Sequence, residues 1–139
     1  MLGEYSGTID EKRRISLPSK LRVRLNLASK KQELHLARGL DGCLWLLTPD
    51  QWQVVESSLG ELSKESFGFG SKKGRAFLRE FYRRTAQVQL DSQSRVMLPE
   101  PLMKLTGMQK DVIFIVLPDR TEVWAAENDP LCEDYEETA

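Results

Sequence analysis

The side chains best placed to do chemistry in this sequence are cations, and they cluster. Lys12, Arg13 and Arg14 are consecutive, and Asp10 precedes the last of them by four residues. The same Asp-x-x-x-Arg spacing returns at Asp91 and Arg95. A guanidinium can hold phosphate oxygens or the O6/N7 edge of guanine in bidentate fashion, and a lysine supplies a point charge. Lys12, Arg13, Arg14 and Arg95 are therefore the candidate contacts to nucleic acid. Asp10 and Asp91 have the wrong sign for phosphate. Each suits a turn-orienting role, accepting bonds from turn amides or pairing with the arginine four residues on. The bland alternative is that each Asp–Arg pair only staples its own turn. The second motif carries Gln93 and Ser94 where the first has Lys12 and Arg13, so unequal contributions are expected.

Other chemistries find little support. His35 is the only histidine and sits between Leu34 and Leu36 on a strand-like segment, which reads as structural or solvent-facing. No base stands beside a serine, cysteine or carboxylate nucleophile. Cys43 reads as a small buried hydrophobe in a strand and Cys132 as a free thiol in an acidic tail; neither has a second soft ligand at metal-binding spacing. The segment Gly68-Phe-Gly-Ser-Lys-Lys-Gly74 lacks the spacing and context of a phosphate-binding loop. The sequence thus reads as a non-enzymatic binding protein with no cofactor and no metal.

The 139 residues have room for one medium domain or two small modules. Formal charge is -1, but its distribution is uneven. Residues 1–38 carry a net +5 and residues 87–139 a net -7, with six acids and no base from Glu127 onward. Such a chain can present a positive face in spite of its overall balance. The longest apolar run, Val112–Leu117, is far short of a membrane span, and the start lacks the pattern of a targeting segment. A cytoplasmic location is expected.

The elements that must position these residues come twice. Ile9-Asp-Glu-Lys-Arg-Arg-Ile-Ser-Leu-Pro18 matches Leu90-Asp-Ser-Gln-Ser-Arg-Val-Met-Leu-Pro99 at an offset of 81. A second block agrees at 79, setting Leu34 and Leu36 on Ile113 and Ile115, and Leu44-Trp45 on Val123-Trp124. An internal repeat reveals the folding unit. Each unit reads as a strand, a four-residue turn and a second strand making one hairpin, then a short helix (Ser19–Leu27; from Pro99 or Pro101 to Gly107). A second hairpin follows, around Gly39–Gly42 and around Pro118–Thr121. Units this small should share one core, with Trp45 and Trp124 inside the shared sheet.

Between the units lies a helical arm. Thr48-Pro49-Asp50-Gln51 combines a threonine cap, a proline at the first position and a glutamine three residues after the cap. Trp52, Val55, Leu59 and Leu62 then line one face. Gly68-Phe-Gly70 breaks the pattern, and Ser71 caps a second helix through about Arg84 whose stripe is Phe77, Leu78, Phe81 and Tyr82. The arm can cover the repeats or bridge to a neighbouring chain. The organisation is a first module over 1–48, the arm over 49–86, a second module over 87–128 and an acidic tail over 129–139.

With both Asp-x-x-x-Arg segments followed by an apolar-x-apolar-Pro segment, the sequence resembles the MraZ family, bacterial transcriptional regulators built from two SpoVT–AbrB-type modules. The resemblance covers most of residues 1–126. It implies a mainly β fold with helical additions, in which two β-rich modules form a swapped-hairpin barrel and an intrachain pseudo-dimer. It also implies a ring-shaped homo-oligomer that binds double-stranded DNA at short repeated promoter sites of a division and cell-wall gene cluster, and hence association with the nucleoid. The runner-up is a protein-interaction or antitoxin-like module. One departure stands out: the family commonly has glycine just before the motif arginine, where this chain has Arg13 and Ser94. Glycine tolerates positive φ, so either the turn differs in shape or Arg13 carries the strain for an added phosphate contact.

Overall fold

Short alternating segments make the strands, and capped amphipathic segments make the helices. A computed structural model describes residues 3–27, 32–63 and 71–130, with Leu62 and Ser63 followed in backbone only. The break at Gly68-Phe-Gly70, Cys132 and the tail beyond residue 130 lie outside the described residues. The order is β1 (Glu4–Thr8), β2 (Arg14–Ser16), α1 (Ser19–Arg24), β3 (Glu33–Arg38), β4 (Leu44–Leu47), α2 (Pro49–Ser63), α3 (Lys72–Arg83), β5 (Ala86–Gln89), β6 (Arg95–Met97), α4 (Glu100–Thr106), β7 (Asp111–Val116) and β8 (Thr121–Ala125). The result is a mixed α/β fold with two sheets. One has six strands in the order β1-β7-β8-β4-β3-β5, and the other is the antiparallel pair β2–β6.

The two halves exchange strands. β1 pairs with β7 of the second half, and β5 pairs with β3 of the first. The first turn closes a hairpin only at its tip, through the single bridge between Ile9 and Ile15; beyond it β1 and β2 part into different sheets. This corrects the expected local hairpin. A three-residue strand buries too little against its own neighbour, whereas crossing over sets Ile15 opposite Val96, both almost wholly buried.

The sheet also corrects the repeat. Leu34 and Leu36 point into the main core, as do Val112 and Phe114, so β3 and β7 correspond at an offset of 78. At 79, Leu34 would fall on the half-exposed Ile113, on the opposite face, since a one-residue slip inverts every side chain. The second hairpin is tighter as well. Arg38 pairs with Leu44 across five residues, but Val116 pairs with Thr121 across four.

The main core draws on both halves: Ile15, Leu21, Leu34, Leu36, Leu44 and Leu46 from the first meet Val96, Leu98, Leu102, Val112 and Phe114 from the second. The arm covers the other face of β3 and β4, where Ala37 and Leu47 pack with Leu59 and Phe81, joined by half-buried Trp45, Trp52 and Phe77. Trp45 therefore lies under the arm and not in the shared core. Its ring meets Phe81 edge-on at 6.1 Å and carries the Arg120 guanidinium at 5.2 Å. Trp124 is buried and donates its indole N–H to Glu122 Oε1 at 3.0 Å.

Local chemistry explains the helix ends. Thr48 and Gln51 form a reciprocal capping box, with Thr48 N–H to Gln51 Oε1 at 3.1 Å and Gln51 N–H to Thr48 Oγ1 at 3.3 Å. Ser71 Oγ accepts from Gly74 N–H at 2.9 Å. α1 is shorter than the sequence reading because Asn26 turns left-handed at φ 60°. Asn26 N–H bonds Val23 O and Leu27 N–H bonds Arg22 O, the crossed pair of a Schellman motif without glycine. Gly107, at φ 69°, ends α4. Among the described residues, no helix is long and apolar enough to cross a membrane.

Candidate nucleic-acid interface

Each tip is built around one aspartate. In the first, Asp10 Oδ1 accepts from the backbone N–H of Lys12 and of Arg14, both at 2.9 Å, and Oδ2 accepts from Arg14 Nε at 2.7 Å. The second repeats every bond. Asp91 Oδ1 accepts from Gln93 N–H at 2.8 Å and Arg95 N–H at 2.9 Å, and Oδ2 accepts from Arg95 Nε at 2.8 Å. A short acidic side chain is needed, because it must turn back onto amides two and four residues along the chain. The backbone closes likewise, with Arg13 N–H on Asp10 O and Ser94 N–H on Asp91 O.

Both carboxyls sit below the ordinary carboxylate range. For Asp10 the Arg14 amide is the largest cause, partly opposed by burial and reinforced by the Arg14 side chain and the Lys12 amide. For Asp91 burial acts upward, but the Arg95 and Gln93 amides together with the Arg95 side chain outweigh it. Each tip is thus an anion held in its own ring of donors, which fixes the arginine's near end and leaves its far end to act outward.

The position before each motif arginine is left-handed, at φ 62° for Arg13 and φ 60° for Ser94. The turn keeps the shape glycine would favour, with non-glycine residues carrying the strain. Arg13 has a compensation that Ser94 lacks: its Nε donates to Leu98 O at 3.1 Å, tying the first tip to the end of β6.

The tips lie side by side. β2 and β6 run antiparallel with Arg14 opposite Met97, Ile15 opposite Val96 and Ser16 opposite Arg95. The flanking bonds are reciprocal, Leu17 N–H to Ser94 O at 3.0 Å and Leu98 N–H to Arg13 O at 2.7 Å. Ile15 and Val96 point into the core, so Arg14, Ser16, Arg95 and Met97 share the outer face. Arg95 Nη1 reaches to 3.9 Å from Asp10 Oδ2, linking one tip to the other.

The four candidate cations are therefore placed differently. Lys12 is exposed. Arg13 is half-buried against Leu98. Arg14 and Arg95 have side chains 29% and 22% exposed, held through Nε, and their Nη groups make no hydrogen bond among the described residues. A fifth cation was not singled out from sequence. Exposed Lys110, with Gln109, lines an open cleft of about 570 Å³ together with Lys12, Arg14 and Asp10. Ile9 N–H donates to Lys110 O at 2.7 Å, whereas at the second tip Leu90 N–H donates to Gln32 O at 2.9 Å. The first tip thus gathers Lys12 and Lys110 where the second has Gln93 and Gln32.

The remaining reactive groups stand apart from this face. Burial pushes the Cys43 thiol up to about 12, helped by Glu122 and Asp41; it lies just before β4 and not within it. His35 stacks on Trp52 at 4.7 Å under the arm. Among the described residues, no group of histidine, cysteine and carboxylate side chains could hold a metal ion.

Comparison with known proteins joins this geometry to a family. The family model described as "MraZ protein, putative antitoxin-like" matches residues 1–79 and 81–137. A protein named Transcriptional regulator MraZ from Caldicellulosiruptor saccharolyticus is 35% identical over 128 residues, covering 92% of this chain and 82% of its own. The protein of the same name from Syntrophomonas wolfei is 36% identical over 138 residues, covering 99% and 87%. That from Clostridium tetani is 34% identical over 126 residues, covering 91% and 82%.

Proposed function

The chain belongs to the MraZ family of transcriptional regulators, and from that premise we propose that it regulates transcription by binding duplex DNA with the face formed by its two tips. The family's regulators are non-catalytic. The observation that carries the proposal is the placing of both Asp–Arg units on one exposed face, linked through Arg95 and Asp10. On this reading Lys12 holds phosphate as a point charge and Arg13 positions the first tip while adding charge. Arg14 and Arg95 present Nη groups to phosphate or guanine, and Asp10 and Asp91 orient them. On the same reading the chain is a swapped-hairpin barrel and an intrachain pseudo-dimer, with modules over 1–48 and 87–128, and the strand exchange supports this.

One chain offers few cations, so affinity for short repeated sites comes from a homo-oligomer, most simply a closed ring, in which linked weak contacts gain effective concentration. The target is the promoter of a division and cell-wall gene cluster, and the protein works on the nucleoid in the cytoplasm. The test is a titration of a repeat-containing duplex at two salt concentrations, with mass by light scattering. Lys12→Ala should weaken all duplexes about equally and lower the salt slope by about one. Arg14→Ala and Arg95→Ala should cost more. Deleting Glu127–Ala139 should leave binding unchanged or tighter. A mass of 15.9 kDa sinks the ring. A Lys12-Arg13-Arg14 triple alanine variant that stays assembled and binds like the parent sinks the face. The family model's antitoxin-like description favours a second reading, in which the chain neutralises a protein partner; co-purification with such a partner and no salt-dependent DNA binding would select it.

A further inference from the structure

The two tips share a backbone but not a surface, and the difference is greatest on the ribbon between them. Along its outer face Arg14 and Arg95 lie diagonally, and the two remaining positions are Ser16 and Met97. Met97 is 51% exposed and stands directly opposite Arg14. Its exposure alone would mean little, since single apolar side chains are common on surfaces. Its place is what matters: it is the one apolar side chain among the four that the ribbon turns outward, set between two guanidinium groups already held by Asp10 and Asp91.

A two-stranded antiparallel ribbon fits the major groove, where the thymine C5-methyl is the apolar mark among hydrogen-bonding edges. A long, unbranched thioether adapts its shape to such a contact. The ribbon cannot slide to remove Met97 from that position, because Ile15 and Val96 beneath it are locked in the core and the Leu17–Ser94 and Leu98–Arg13 bonds fix the register. We propose that Met97 is a specificity-determining residue that reads a thymine methyl group in the major groove beside the base pair met by Arg14. Ser16, its counterpart beside Arg95, presents a hydroxyl and has no apolar reach. Each chain would then read an oriented, non-palindromic site, with a thymine on the Arg14–Met97 side only.

This rests on the DNA-binding reading above, and the experiment separates the two. Duplexes are enriched from a random pool by the full-length protein, and each thymine of the enriched site is replaced in turn by uracil, which removes only the methyl group. The expected result is one thymine whose replacement weakens binding about fourfold, the worth of one buried methyl group. Met97→Ala should bind the thymine and uracil duplexes equally, with the parent's salt dependence and assembly mass, and Met97→Leu should restore the preference. The inference is overturned if no uracil substitution matters, if Met97→Ala still discriminates, or if that variant changes the assembly mass, which would place Met97 against another copy. If no duplex is enriched and none binds in a salt-dependent way, the DNA-binding reading itself falls, and this one with it.

Discussion

Replacing Ser94 by glycine should stabilise the protein, and replacing Arg13 by glycine should not. Both residues are left-handed, at φ 60° and φ 62°, a conformation that costs a residue with a Cβ roughly 1–2 kcal/mol. Glycine removes that cost but adds freedom to the unfolded chain, which offsets about 0.4–1 kcal/mol of the gain. Ser94→Gly should therefore come out ahead by about 0.5–1 kcal/mol. For Arg13 the same relief is set against its Nε bond to Leu98 O at 3.1 Å. A bond of this kind contributes about 0.5–1.5 kcal/mol net, so Arg13→Gly should lie near zero. The assay is urea or thermal unfolding of the two variants beside the parent. For a chain of this size about 1 kcal/mol appears as a few degrees in Tm. The pair of variants controls for the general effect of glycine. A Ser94→Gly variant less stable than the parent, or an Arg13→Gly variant that gains as much as Ser94→Gly, would refute the strain account of both turns.

Three further outcomes are expected. Asp10 and Asp91 have folded pKa values below their usual ones, so their contribution is fully present above the unfolded carboxylate range near pH 4 and is lost as pH falls through the lowered values. Unfolding midpoints measured from pH 6 to pH 2 should drop in acid, and the drop should be shallower in Asp10→Asn and Asp91→Asn, whose stability at neutral pH is already reduced. Burial lowers the pKa of His35 against the upward pull of Glu56 and Glu33, and its Nδ1 has no partner among the described residues. The folded state therefore favours the neutral ring, and stability should fall as pH drops below about 6.5, the unfolded value. The loss, followed by Trp fluorescence between pH 7.5 and pH 5.5, should be absent in His35→Gln. Finally, a Cβ on Gly7 would sit 2.5 Å from Cε2 of the fully buried Phe114. Gly7→Ala should cost about 1–3 kcal/mol in denaturant unfolding, because the Phe114 ring, packed in the main core, must shift to admit the methyl group.

What could be read in the sequence, and what could not, divides by the range of the interactions. The capping box at Thr48 and Gln51, the Ser71 cap and the Gly107 stop are decided within a few residues of chain, and the side chains that make them are visible as letters. The spacing of Asp and Arg showed that a turn was present twice. The exchange of strands is implied by the family resemblance but not by the residues themselves, because Ile15 would be equally satisfied as an apolar residue against β1 or against Val96; only the shared core decides it. The offset of 79 failed for a related reason. Val112, Ile113, Phe114 and Ile115 are all apolar, so the letters do not say which pair faces inward, and the choice falls to the pairing with β1. The early end of α1 was hidden because asparagine, not glycine, takes the left-handed position. Lys110 was passed over because nothing in its neighbours along the chain announces that its carbonyl would meet Ile9 and bring it beside Lys12.

The equal backbone of the two tips separates structure from recognition. Every hydrogen bond from its own turn that Asp10 accepts, Asp91 accepts again within 0.1 Å, and both turns hold a non-glycine residue at positive φ; among the described residues only the contact of Arg95 with Asp10 has no counterpart. These shared features must therefore serve the turn and the holding of its arginine. Whatever distinguishes the tips cannot be needed for the fold in that sense: Lys12 against Gln93, Arg13 against Ser94, Lys110 against Gln32, Ser16 against Met97. Three of the four place more positive charge on the first tip, and among the described residues only Arg13 of these cations also bonds back to the scaffold through its side chain, at Leu98 O. Charge alone would make the first tip a stronger copy of the second. The fourth difference runs the other way in kind, giving the ribbon an apolar side chain on the side where the positive charge is also greatest. A duplicated scaffold has thus become chemically polar along its outer face, and a polar face can set a direction on DNA that a symmetric one could not.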